Sequence, residues 1–322
     1  MARIDTLNNF LTDVADSIRE KKGSTEEIPA ANFDTEIESI PSGGGVDIND
    51  YFKTTITNDN RAGWGRGGML KKIPPMVVDS TVTDLSSLFE DYAGTYIPSI
   101  TGTSQVDTFS NMFRRTSKAT TFPDIDTSSG ILFNSMFQYS AITAVPNLNT
   151  SKAQNISSMF GSCYGITEMP LFDTSSVYDM NEAFYYCNNI TTIPQFNTSN
   201  VQEVQETFAA CAKLVTIPLL DFGKVNKIRG TFSSCPNLAN VGGFQNLGKG
   251  FTVNTENYYY YQVAFNEANA LTHDSLVNII NNLYDISSKN IAAQTLTLGA
   301  TNLAKLTESE IKIATDKGWT VS

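Results

Sequence analysis

The chain carries few side chains able to do covalent or metal chemistry, and their spacing argues against such use. Its single histidine, His273, stands where a helix begins, with no serine or cysteine motif beside it; a capping or surface role suits that place. Four cysteines, Cys163, Cys187, Cys211 and Cys235, follow one another at intervals of 24 residues. No Cys-x-x-Cys pair and no nearby histidine completes a metal site, so the regular beat predicts buried, reduced thiols serving as small apolar filler. Gly63, Gly65, Gly67 and Gly68 imitate a nucleotide loop, yet no strand precedes them and no Lys-Ser/Thr pair follows, which leaves a tight turn. Carboxylates are many and scattered, without a recurring pair of the kind glycoside hydrolysis needs. These residues predict no catalytic site, no metal and no cofactor.

The element that repeats is a rung of about 24 residues, clearest at Val201 to Leu220. Its central phenylalanine recurs at Phe89, Phe113, Phe137, Phe160, Phe184, Phe208 and Phe232, in steps of 24, 24, 23, 24, 24 and 24. Pro74, Pro98, Pro123, Pro146, Pro170, Pro194 and Pro218 keep the same beat. A period of this length is the mark of a solenoid. Upstream of each phenylalanine, sets such as Val177/Met180/Phe184 and Val225/Ile228/Phe232 have the spacing of one face of a short helix. Downstream, Ile190/Ile193/Phe196 and Leu214/Ile217/Leu220 read as a short buried strand edged by proline. The triplets starting at Asp126, Asn149, Asp173 and Asn197 are turn and N-cap chemistry for the next helix. Strand, turn, helix, strand is thus the expected rung, and rungs must stack because none has a core of its own.

Stacking would line up the outward residues beside each strand. They are hydroxyl-rich: Thr95 and Tyr96, Thr120, Thr143, Thr167 and Glu168, Thr191 and Thr192, and Thr216, with Gln195 alongside. Threonine suits any exposed strand, and the same strip suits a shallow face for a cell-surface glycan or protein. Tyr96 and the run Tyr258, Tyr259, Tyr260, Tyr261 add rings able to stack on sugars.

The pattern Phe-x-x-Cys-x-x-Φ-x-x-Ile-Pro, as in Phe184, Cys187, Ile190, Ile193 and Pro194, closely resembles the BspA-like leucine-rich repeats, a bacterial and phage variant of the horseshoe. The resemblance covers about residues 70–250. Gly130 in the first helical slot, and Tyr92, Thr116 and Ser140 in the cysteine slot, depart from it. It implies an α/β solenoid with a small N-terminal helical anchor and a C-terminal α+β cap.

The remaining segments fit that plan. In residues 1–40, Leu7, Leu11, Val14 and Ile18 make a helical stripe, followed by Phe33 and Ile37; two short helices bury too little to stand alone. The run Ala15 to Thr25 with Ile28-Pro29 and Asn32 to Ile37 resembles the N-terminal segment of tail and baseplate proteins of phages of Gram-positive bacteria. That likeness implies a virion anchor docking on other phage structural proteins, or on copies of itself as a homo-oligomer. Residues 41–50 form a glycine-rich hinge, 51–76 an N-terminal cap, 77–250 the solenoid, and 251–322 a degenerate rung and terminal cap. Within this last part Thr272 opens a helix, and Thr307 with Glu310 forms a capping box. With a net charge of -11, the chain lacks the basic footprint of nucleic-acid or anionic-membrane binding, and no apolar run approaches the ~20 residues of a membrane span. No signal peptide is visible at the N-terminus. The expected protein is a non-enzymatic virion component of tail fibre or baseplate type that recognises a host surface, with a bacterial adhesin or a head fibre as alternatives.

Overall fold

The computed structural model describes Asp16, Arg19 and residues 54–59, 75–252, 261–291 and 294–322. The anchor residues Leu7, Leu11, Val14, Ile18, Phe33 and Ile37, the hinge, Gly63 to Gly68 and Tyr258 to Tyr260 lie outside the described residues. Asp16 and Arg19 are helical and form an ion pair.

The described chain is a solenoid whose rungs stack in parallel. At its start β1 (Thr54–Ile56) pairs with β2 (Met76–Val78), and β2 with β3 (Ile100–Thr101), all parallel. Near its end β4 (Thr216–Ile217) pairs with β6 (Asn240–Val241), and β5 (Leu220–Asp221) with β7 (Phe244–Gln245). Inside, the repeating phenylalanines form one column. Phe89, Phe113, Phe137, Phe160, Phe184, Phe208, Phe232 and Phe265 stack ring on ring at centroid spacings of 5.9, 5.4, 5.5, 6.0, 5.6, 6.2 and 4.8 Å. The expected solenoid and its stacked core are therefore present, and Phe265 extends the stack one rung past the regular beat.

The half of the rung upstream of phenylalanine is not the expected helix. In the rung of Phe184, the N–H groups of Met180, Glu182, Phe184 and Tyr186 donate to the next rung's Glu203, Gln205, Thr207 and Ala209 carbonyls at 2.8 to 3.0 Å. The N–H groups between them, of Ala183, Tyr185 and Cys187, close three-residue turns onto Met180, Glu182 and Phe184. Glu182 and Tyr186 take φ of +55° and +58°, the left-handed conformation that the third position of a type II turn demands. The same two slots are left-handed from Ser87 and Asp91 through to Gly230 and Ser234. A left-handed residue every fourth position puts Met180 and Phe184 on the inner side just as a helix would. The physical difference is where the backbone bonds go: a helix keeps them within its rung, whereas this run of turns sends every second one along the stack. That linkage offsets roughly 1–2 kcal/mol per left-handed side chain.

The Asp/Asn-Thr-Ser triplets are turns, as expected, but have no helix to cap. Asp126, Asn149, Asp173 and Asn197 accept the N–H of the serine two residues on, at 2.9, 3.1, 3.0 and 3.2 Å. Between them Thr127 and Thr174 are buried and donate to the Asn149 and Asn197 carbonyls of the following rung at 3.0 and 2.9 Å.

The solenoid ends in a cap of three helices, α1 (His273–Asn281), α2 (Ala300–Leu303) and α3 (Glu308–Asp316). They flank a parallel sheet in the order β10 (Trp319–Val321), β9 (Gln294–Thr297), β8 (Val263–Ala264). Thr272 caps α1, and Thr307 with Glu310 forms the capping box of α3. Ser234 donates both its N–H and its hydroxyl to the carboxylate of Glu267 in the Phe265 rung. Lys317 plugs the C-terminal end of α1, donating to the Ile280 and Asn281 carbonyls at 3.2 and 2.7 Å, where a cation also meets the negative end of the helix dipole.

Candidate binding faces

The threonine strip lies on the proline side of the rungs. Thr95, Tyr96, Thr120, Thr143, Thr167, Glu168, Thr191, Thr192 and Gln195 are exposed, and Thr216 is half-buried. Adjacent rungs meet here in two stretches. Thr143 donates both its N–H and its hydroxyl to the Thr120 carbonyl, at 3.1 and 3.2 Å. Further on, the Thr191 carbonyl accepts from Val215 and Thr216, and the Val215 carbonyl from Ala239 and Asn240. No backbone bond joins the Thr143 and Thr167 positions among those described, so the expected strand in every rung is realised only at the two ends of the stack. The strip is less uniformly polar than the sequence implies. Leu171 is 69% exposed and Leu219 is 42% exposed, both just after a repeat proline, and Gln195 between them spends its amide on the Leu219 carbonyl at 2.6 Å.

Tyr261 is a correction. It is buried at 3% exposure, stacks on Phe251 with centroids 4.4 Å apart, and shares its hydroxyl with Thr252 at 3.2 Å. Its ring belongs to the cap core and is not free to meet a ligand.

The thiol column is inside, as expected. Each sulfur donates to the phenylalanine carbonyl one rung back: Cys163 to Phe137, Cys187 to Phe160, Cys211 to Phe184 and Cys235 to Phe208, at 3.0 to 3.1 Å. Burial pushes Cys163 and Cys235 up to about 12 and raises the other two as well. A protonated thiol is neither nucleophile nor metal ligand. His273 is half-exposed, with its Nε2 2.9 Å from Glu310 Oε1, tying α1 to α3.

The other broad face, built by the turns, escaped the sequence reading. Its outward slots are the residues one and two after each phenylalanine and the left-handed residue two before it. They carry a salt-bridge network in the first rungs, where Arg114 and Arg115 each meet Glu90 at 3.0 Å and Arg115 meets Asp91 at 2.5 Å. In the middle rungs they carry Tyr139, Tyr185 and Tyr186. Only the left-handed geometry reveals that these slots point outward.

The repeats match the family described as "Mycoplasma protein of unknown function, DUF285" over residues 78–170, 131–244 and 166–278, together more than half of the chain. The chain belongs to the DUF285 family. The three matches overlap, as expected where one profile fits a repeating chain in several registers. The DUF285 match and the solenoid together fit a BspA-like repeat protein. No curated protein matches the chain. Among the described residues no helix is long and apolar enough to cross a membrane.

Proposed function

We propose that this DUF285 chain is a non-enzymatic recognition protein, one that turns its solenoid surface toward a partner on a cell envelope, a glycan or a protein. The observation that carries the reading is the exposed strip itself: rung after rung sets out a threonine, from Thr95 to Thr192, over a core too regular to be shaped for a reaction. The chemistry of the titratable groups agrees, since the inner thiols are held protonated and His273 is engaged by Glu310. In the finer form of the proposal the protein is a phage tail-fibre or baseplate component, carried as a homo-oligomer by residues 1–40, whose sequence likeness to phage tail proteins supports that mounting.

Thr167→Lys with Thr191→Lys tests the strip. Both side chains are exposed, so thermal stability should stay within about 0.5 kcal/mol while adsorption to host cells falls; normal adsorption would remove the strip from the reading. Deleting residues 1–40 tests the mounting, with loss from purified particles as the expected result and continued incorporation as the refuting one. A cell-surface adhesin is the second reading, favoured by a matching family that is described from a cellular organism. Finding the protein on cells and not in particles would select it.

A further inference from the structure

Between Ile97 and Thr252 the solenoid has five tyrosines, and all fall in three consecutive rungs: Tyr139, Tyr164, Tyr178, Tyr185 and Tyr186. Three of them gather on the turn-built face. Tyr139 and Tyr186 occupy the same slot two rungs apart, 48% and 40% exposed, a separation of about 9–10 Å at the usual spacing of parallel-bonded chains. In the rung between, the corresponding slots hold Gly161 and Ser162, both buried, so nothing large stands between the rings. Tyr185 packs edge-on against Tyr186 with centroids 4.9 Å apart. Glu182 holds the left-handed slot two residues before Phe184 in the same rung, and Glu206 holds that slot one rung on.

The surroundings select the ligand chemistry. On one side stand Glu182, whose Oε2 accepts from the Ser158 hydroxyl at 3.3 Å, and Glu206. On the other stands Arg115, ion-paired to Glu90 and Asp91; it holds the slot of Tyr139 one rung back, its N–H donating to the Gln138 carbonyl at 2.8 Å, and Arg114 beside it donates to the Gln138 amide oxygen at 3.0 Å. A cation laid over Tyr139 would meet a guanidinium. A sugar ring has apolar C–H faces for the rings and hydroxyls that donate to carboxylates and accept from arginine at once.

We propose that Tyr139, Tyr185 and Tyr186, with Glu182, Glu206 and Arg115 at the rim, form a saccharide-binding platform for a neutral glycan chain lying along the stack. The proposal rests on the recognition reading above and adds the turn-built face to the threonine strip as a second contact. Each ring adds little, so one copy binds weakly and attachment depends on several copies, which raise avidity by about 10²–10⁴.

Saturation-transfer NMR on the full chain tests it, with the β-linked tetramers of glucose and N-acetylglucosamine as neutral probes and tetramethylammonium as the cation control. Irradiating the tyrosine ring protons should transfer to at least one tetramer. Tyr139→Ala with Tyr186→Ala should cut that signal about tenfold, and Ala210, which holds the same slot at φ +58°, shows that alanine fits there. Tyr139→Phe with Tyr186→Phe should keep most of the signal, and Thr167→Lys with Thr191→Lys all of it. The platform is refuted if neither tetramer receives transfer, if tetramethylammonium displaces them, or if the alanine pair binds as the parent does while folded. Adsorption assays separate the two levels: loss in the threonine variant alone overturns the platform and leaves the recognition reading standing, whereas loss in neither variant, with no tetramer bound, overturns both.

Discussion

Removing one ring from the phenylalanine column is the sharpest test of how the rungs hold together. Phe184 is fully buried, with ring centroids 6.0 Å from Phe160, 5.6 Å from Phe208 and 5.8 Å from Phe196. Truncating a buried phenylalanine to alanine costs about 3–5 kcal/mol through lost transfer energy and the cavity left behind. The upper end applies here, because the column is fixed by backbone bonds from Phe184 to Thr207 and from Phe160 to Ala183, so neighbouring rungs cannot collapse into the gap. Urea unfolding followed by circular dichroism gives the loss, and the fluorescence of buried Trp319, in a Trp64→Phe background, reports the cap separately. Since stability in a stack is a sum of rung and nearest-neighbour terms, Phe184→Ala should also split the transition, the cap side outlasting the whole. A loss under about 1 kcal/mol would mean that the ring does not couple its neighbours, and the stacked-core account would fail.

Three further outcomes follow from particular residues. Because burial raises all four thiols, a thiol reagent at pH 8 should label none of them in the native protein and four in urea; rapid native labelling would contradict the column. Gly230 sits at φ +72° with Glu206 Cγ 2.9 Å from where a Cβ would stand, so Gly230→Ala should destabilise by about 1 kcal/mol or more, and Ala210→Gly should gain up to about 1 kcal/mol; thermal melts decide both. Asp179 is pushed up, by burial first and by Glu203 after the opposing bond from Asn181. A carboxyl whose folded value is raised weakens the fold above that value and ceases to do so as pH falls through it. Asp179→Asn should therefore be the more stable at pH 7, with the gap closing toward pH 4; an unchanged gap would place the shift elsewhere.

The period, the phenylalanine column, the buried thiols and the caps at Thr272 and Thr307 were legible in the sequence because each depends on residue type at a fixed spacing. The turn-built half was not. Apolar residues four apart, such as Met180 and Phe184, satisfy a helix and a left-handed turn run equally, and the slots that distinguish them hold glutamate, tyrosine, alanine and arginine in place of the glycine that announces positive φ. Tyr139 and Tyr186 were therefore visible as tyrosines but not as neighbours. Tyr261 failed in the opposite sense: the last of four tyrosines in a row looks like part of an exposed insertion, whereas its ring has already returned to pack on Phe251.

The bond from Ser234 to the Glu267 carboxylate has a meaning beyond the cap. Stacked rings, backbone bonds running along the axis and in-register parallel rungs are also the ingredients of amyloid fibrils, and this protein assembles them from a single chain. Past the regular beat the Phe265 rung takes the Ser234 N–H on a side chain instead of a carbonyl, and an interrupted backbone ladder is a poorer template on which another copy could continue the stack. A carboxylate can accept that bond but cannot pass it on, so at the Ser234 slot Glu267 stops one line of the ladder from running on through the cap.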